Sequence, residues 1–200
     1  MEIYLVRHTA PDVAKGICYG QADIDVKETF AAEAACIQKF LPENTGTVFS
    51  SPLQRCKKLA AHLFPTHHIH LHDDLMEINC GQWELKAWDS IAREEIDPWM
   101  NGFVTVRIPG GESYEDLYQR VKNVFIDIYH KAGPVVIVAH GGVIRSILSY
   151  ITNTALKDSF STFSLHYGCV IKITATPFGL QHEILSNIMQ EKETHKPSYF

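Results

Sequence analysis

Basic and imidazole side chains recur just after short apolar runs in three places: Leu5-Val6-Arg7-His8-Thr9, Ser50-Ser51-Pro52-Leu53-Gln54-Arg55 and Ala139-His140-Gly141-Gly142. Two arginines, two histidines and glycine amides converging on one point describe a phosphoryl pocket. Arginine suits the oxygens of a phosphoryl group because its planar fork donates paired hydrogen bonds. A neutral histidine, with an ordinary pKa of about 6.5, keeps a ring nitrogen lone pair that can attack phosphorus. Ser51 reads as a helix N-cap with Pro52 at the first helical position, which puts Arg55 beside an anion favoured by the helix N-terminus. Gly141 and Gly142 leave their N–H groups open to close approach. The proton donor for the leaving oxygen is expected in Leu75-Met76-Glu77, where Glu77 follows a strand-like run, with Glu84 as its rival.

The elements that must position these groups follow from periodicity. Strands are predicted at Glu2 to Val6, Thr47 to Ser50, His68 to His72, Val135 to Ala139, Cys169 to Thr174 and Leu180 to Leu185. The run Val135-Val136-Ile137-Val138-Ala139 is apolar at every position and predicts a central strand covered on both faces. Helical spacing marks Phe30/Ala34/Ile37/Leu41, Leu53/Cys56/Leu59/Ala60/Leu63, Leu117/Val121/Val124/Phe125/Ile128 and Ile144/Ile147/Leu148/Ile151. The alternation makes the fold class α/β, with the functional groups beyond the carboxyl ends of the strands. Residues 82–109 break the pattern and read as a short helical cap, inserted in a single domain spanning 1–200. The polar tail, about 191–200, is expected to be partly disordered, with Tyr199-Phe200 packing back.

Composition narrows the function classes. The chain has 200 residues, 46% hydrophobic and 20% charged, enough to bury a core without staples. A net charge of −5 argues against a nucleic-acid partner. No apolar run approaches the roughly 20 residues that span a bilayer, and Met1 leads directly into a strand-like segment, so a cytoplasmic protein without membrane contact is expected. The cysteines, Cys18, Cys36, Cys56, Cys80 and Cys169, are odd in number and scattered, which fits reduced thiols better than disulfides or structural zinc.

In combination, Arg7-His8, Ser51-Pro52-Leu53-Gln54-Arg55, Leu75-Met76-Glu77 with Gly81-Gln82-Trp83-Glu84, Pro109-Gly110-Gly111-Glu112-Ser113 and His140-Gly141-Gly142-Val143-Ile144-Arg145 resemble the histidine phosphatase superfamily, over about residues 1–185. The resemblance implies a three-layer α/β/α sandwich with a mostly parallel sheet and a metal-free phosphohistidine mechanism, with no cofactor. It makes His8 the nucleophile, Glu77 the acid and then the base, and Arg7, Arg55 and His140 the phosphate clamp, with Gly141, Tyr19, Gly20 and Gln21 as further substrate contacts. Two positions depart from the family pattern: Thr9 replaces a glycine, and Ala14 stands where a phosphate-binding asparagine is expected. The stretches Leu5 to Pro11 and Gly16 to Asp23 look most like the α-ribazole-5′-phosphate phosphatases of cobalamin lower-ligand assembly.

Several features have simpler readings. His68, His70 and His72 alternate as metal ligands on a strand can, but no carboxylate or thiolate of matching geometry is evident, so a solvated strand edge is the favoured reading and no metal is assigned. Tryptophans ordinarily pack, yet Trp83, Trp88 and Trp99 beside Met100 and Phe103 point to at least one aromatic substrate contact. Arg145 is read as structural, Arg107 is left open, Glu94-Glu95 reads as a solvated helix face, and Cys56 is reactive only if exposed. The function expected is hydrolysis of a small phosphate monoester, with α-ribazole 5′-phosphate as the specific candidate. The alternatives are a phosphoglycerate mutase, a broad-specificity phosphatase and a non-catalytic phosphate-binding protein. A mutase must hold a second anionic group, and residues 78–108 offer only Lys86, Arg93 and Arg107 as cations. Oligomeric state is left open, with a homodimer as one option.

Overall fold

The computed structural model describes residues 1–131, 133–188 and 196–200. Among them, six strands form one sheet: β1 (Glu2–Arg7), β2 (Thr47–Ser50), β3 (Ile69–Leu71), β4 (Val135–Ala139), β5 (Val170–Thr176) and β6 (Gly179–Ser186), in the order β3-β2-β4-β1-β5-β6. Strands β1 to β4 run parallel, while β5 is antiparallel to β1 and β6 to β5. The helices are α1 (Phe30–Gln38), α2 (Gln54–Leu63), α3 (Arg93–Gly102), α4 (Tyr114–Tyr129), α5 (Gly141–Thr152) and the short α6 (Ser159–Thr162).

Strand periodicity builds the layers. In β1 and β4, Ile3, Leu5, Val135 and Ile137 pack with α4 and α5, through Leu117, Val121, Phe125, Ile144 and Ile147. The intervening Tyr4, Val6, Val136 and Val138 pack with α1 and α2, through Ala34, Ile37, Leu59 and Leu63. Both faces of the central strands are therefore buried, which is why β4 shows no alternation and lies mid-sheet. Each such aliphatic side chain contributes roughly 1.5–3 kcal/mol on burial. A third cluster, centred on Trp83, Trp88, Ile91, Ile96 and Ile108, packs separately around α3.

The α/β class and the three-layer arrangement stand as expected, with differences at element ends. Strand β3 is only three residues long, so His68 and His72 flank it. Helix α1 ends at Gln38, short of Leu41, and α6 has no counterpart among the predicted elements. No helix among the described residues is long and apolar enough to cross a membrane. Residues 191–195 of the polar tail lie outside the described residues. The end of the tail does pack back: Ser198 N–H donates to Asp89 Oδ1 at 2.7 Å, and the Arg93 guanidinium lies 4.3 Å from the Tyr199 ring centre.

Candidate active site

Because β1, β2 and β4 are parallel, their carboxyl ends share one edge of the sheet, and His8, Ser51 and His140 each follow one of them. His8 is buried, and main-chain bonds hold it from both sides: its N–H donates to Ala139 O at 3.0 Å, and its carbonyl accepts from Gly168 N–H at 3.1 Å. Its ring Nδ1 lies 2.7 Å from Thr9 O. A carbonyl only accepts, so Nδ1 carries the proton and Nε2 keeps the lone pair. The His140 ring stands edge-on to His8, 5.1 Å between centres, and its Nε2 pairs with Ser51 Oγ at 2.8 Å. Burial holds the His140 imidazole well below its ordinary value, with Arg55, His8 and Arg7 pushing the same way, so it stays neutral.

Arg55 is fully buried, but the local helix differs from the sequence reading. The N-cap of α2 is Leu53, not Ser51, because Leu53 is still extended (φ −61°, ψ 135°) and the helix starts only at Gln54. Ser51 serves His140 instead, and Asp23 Oδ1 takes the first helical amide, Gln54 N–H, at 2.7 Å. The Arg55 guanidinium donates to Ala22 O at 2.9 Å and Gly20 O at 2.6 Å, drawing the 19–22 loop to the site, and stacks 5.6 Å from the Tyr19 ring. Glu84 completes that loop: its carboxylate accepts from the N–H groups of Gly20, Gln21, Ala22 and Cys80 at 2.7 to 3.1 Å. Glu84 is thus occupied with backbone and does not compete with Glu77. Gly20 is required by space, because a Cβ there would overlap Ile78 O. Gln21 reaches Glu77 O through its Nε2 at 3.1 Å.

Glu77 meets the start of α5. Its Oε2 accepts from Gly142 N–H and its Oε1 from Ile78 N–H, each at 2.9 Å. One of the glycine amides assigned to phosphate is therefore spent on Glu77. A Cβ at Gly142 would overlap the Glu77 carboxylate, so any side chain there displaces Glu77 from its present position. Gly141, also counted as a substrate contact, lies against the Arg7 and Arg145 guanidinium groups. Arg7 donates to Leu165 O at 2.7 Å, and Arg145 to Phe163 O at 3.1 Å.

Two contributors were not anticipated. Tyr167 lies 4.2 Å from the Arg7 guanidinium and 5.5 Å from the His8 ring, and its hydroxyl meets that of Tyr19 at 2.6 Å. It arrives there because β5 is antiparallel, so the turn entering β5 lies at the same edge where the parallel strands end; an antiparallel register is not visible in the β5 sequence. Arg120, in α4, divides its donors between two segments: Asp74 O, Met76 O and Glu77 O at 2.7 to 2.8 Å, and both carboxylate oxygens of Glu112.

Other readings change. The tryptophans pack on one another: Trp88 and Trp99 stack at 5.9 Å, Trp83 is fully buried, and its indole N–H donates to Glu95 Oε2 at 2.9 Å. Glu94 and Glu95 are both exposed, as the solvated helix face predicts, although Glu95 also takes that indole N–H; Trp83 and Trp88 belong to the core around α3, not to a ligand platform. Arg107 pairs with Asp116. Cys56 is buried against His140, and burial pushes its thiol up to about 12, so it is unreactive. The histidine run does not form a three-residue ligand set: His68 and His70 meet edge to face, while His72 Nδ1 accepts from Asp74 N–H. Thr9 Oγ1 is buried without a hydrogen-bond partner, and Ala14 is exposed.

Residues 3–187 match the histidine phosphatase superfamily (branch 1). The chain belongs to that superfamily and is a phosphatase. It is similar to the metal-independent phosphoserine phosphatase of Arabidopsis thaliana, 32% identical over 166 residues that cover 77% of this chain and 70% of that protein. It is also similar to the 6-phosphofructo-2-kinase/fructose-2,6-bisphosphatase of Arabidopsis thaliana, 29% identical over 165 residues, 78% of this chain. The chain spans only 22% of that relative's length. The α-ribazole phosphatase of Shigella flexneri shares the fold, with a TM-score of 0.85, 20% identity, and coverage of 96% of this chain and 100% of that one.

Proposed function

We propose that residues 1–200 act as one catalytic unit, with 82–109 as its cap, hydrolysing a small phosphate monoester through a phosphohistidine on His8. The observation that carries this is the His8 ring: Nδ1–H is committed to Thr9 O, so Nε2 presents its lone pair beside a neutral His140 and the Arg7 and Arg55 side chains. Nε2 attacks phosphorus as the ester P–O bond breaks, and Glu77 gives its proton to the departing oxygen. Water then attacks the phosphohistidine, Glu77 takes the proton from that water, and His8 and phosphate are released. Arg7, Arg55 and His140 stabilise the charge on the transferring group, which leaves no role in the scheme for a metal ion.

For the substrate we propose α-ribazole 5′-phosphate, handled in the cytoplasm during cobalamin lower-ligand assembly. Neighbours of that name share the fold over 96% of the chain. The cap favours one phosphate over two: Arg107 is paired with Asp116, and Arg93 lies on Tyr199. Trp99, Met100 and Phe103 keep partly exposed apolar surface that a flat ring can cover. The test is a purified-enzyme panel in one buffer. The highest kcat/KM is expected for α-ribazole 5′-phosphate, ahead of phosphoserine, 3-phosphoglycerate and fructose 2,6-bisphosphate. Preference for any of the other three contradicts the substrate but leaves the His8 chemistry in place.

A further inference from the structure

We infer that Arg120 is the positioning residue for proton transfer by Glu77. Residues 77–80 form neither helix nor strand, so their backbone has no ladder to hold it. Main-chain carbonyls in such a segment need partners, and Arg120 supplies them at residues 74, 76 and 77 from a single planar fork. The remaining donors grip Glu112, whose Oε2 accepts Asn79 N–H at 2.9 Å and whose own N–H donates to Asn79 O at 2.9 Å. Arg120 projects from α4, whose Leu117, Val121 and Val124 are locked in the core with α5. The carboxyl end of Glu77 is received by Gly142 N–H at the start of α5. Glu77 is thus located by two helices packed on each other: α4 holds its main chain and α5 holds its side chain. None of the guanidinium's hydrogen bonds reaches the His8 ring; apart from a charge effect on His140, the smallest of those acting there, it meets the site through Glu77.

A lysine at position 120 keeps the charge but cannot span three carbonyls and a carboxylate. Arg120→Lys is therefore expected to lower the single-turnover rate of His8 phosphorylation by an alkyl phosphate by about 10²-fold, the scale of an ångström-sized misplacement. Phosphorylation of His8 by p-nitrophenyl phosphate, whose leaving oxygen hardly needs a proton, should change little, while the later hydrolysis of the phosphohistidine, for which Glu77 is the base, slows alike for both substrates and is read separately. Placed in a Glu77→Gln background, Arg120→Lys should add no further loss, because the group it positions is already gone. Glu112→Gln, which loosens the same fork, should show the same leaving-group dependence at smaller size, and it carries the test if the lysine variant does not fold. Equal losses on both substrates, or full additivity with Glu77→Gln, overturn the inference. The inference rests on Glu77 as the proton donor. If Glu77→Gln itself slows phosphorylation by both substrates equally, that assignment fails and the inference with it; if only the Arg120 and Glu112 variants lack the contrast, the inference alone fails.

Discussion

At the carboxyl edge of the sheet, His8, Ser51 and His140 each follow a parallel strand paired on both sides, whereas Glu77 sits in irregular chain wired in place by Arg120, Glu112 and Gly142. The nucleophile side is positioned by main-chain ladders, and the proton-donor side by side chains bonded to main chain. A ladder shares its load over many bonds; a wired loop depends on single residues. Substitutions at the sheet edge should therefore act on the chemistry while sparing the fold, and substitutions around the loop should act on both.

The largest effect should come from His8→Ala, which removes the attacking atom while the surrounding ladder stays paired. A loss of kcat on the order of 10⁶-fold is expected, the scale seen when a hydrolase loses its nucleophile, with an unchanged melting curve. A residual rate within tenfold of wild type would place the nucleophile elsewhere.

Trp83→Ala opens the separate core around α3, where the indole is fully buried. About 3–5 kcal/mol of stability should be lost, read from denaturant unfolding. The ratio of kcat/KM between an aryl and an alkyl phosphate should survive in the folded fraction, because Trp83 packs within the cap. A changed ratio would return this tryptophan to the substrate.

Glu84→Gln leaves an NH₂ facing backbone N–H donors of the 19–22 loop and Cys80. Roughly 2–3 kcal/mol should be lost, near the low end for two unmet donors because the site is half-open. A neutral outcome would mean that Arg55 alone holds the loop.

The smallest effect concerns acid. His140 is held neutral below its ordinary value, so the unfolded chain binds a proton there that the folded chain refuses. Its contribution is complete above about pH 6.5 and falls as pH drops, by about 1.4 kcal/mol per unit at most. His140→Gln should flatten stability between about pH 5 and 6.5; an unchanged slope would show that His140 takes up its proton while folded.

These two modes of positioning also separate what was legible in the sequence from what was not. Strands β1 and β4 announce themselves by apolar runs and β2 by its β-branched and aromatic residues, and the groups at and just beyond their ends were readable as Arg7, His8, Arg55 and His140. The partners of Glu77 and Glu84 lie far along the chain, with Arg120 bonded across 43 residues, and nothing in local periodicity records such a bond. Tyr167 was hidden for a related reason, since strand direction depends on pairing and not on composition. The cap tryptophans were visible, but an apolar cluster that buries itself has the same sequence as one that waits for a ligand.

The central claim is tested most directly by rapid quench of the wild-type enzyme with ³²P-labelled substrate, followed by peptide mapping. Acid-labile, base-stable label should appear on the peptide carrying His8 within one turnover and vanish as phosphate is released. Label on another residue, or turnover with no enzyme-bound label at any quench time, would contradict the account.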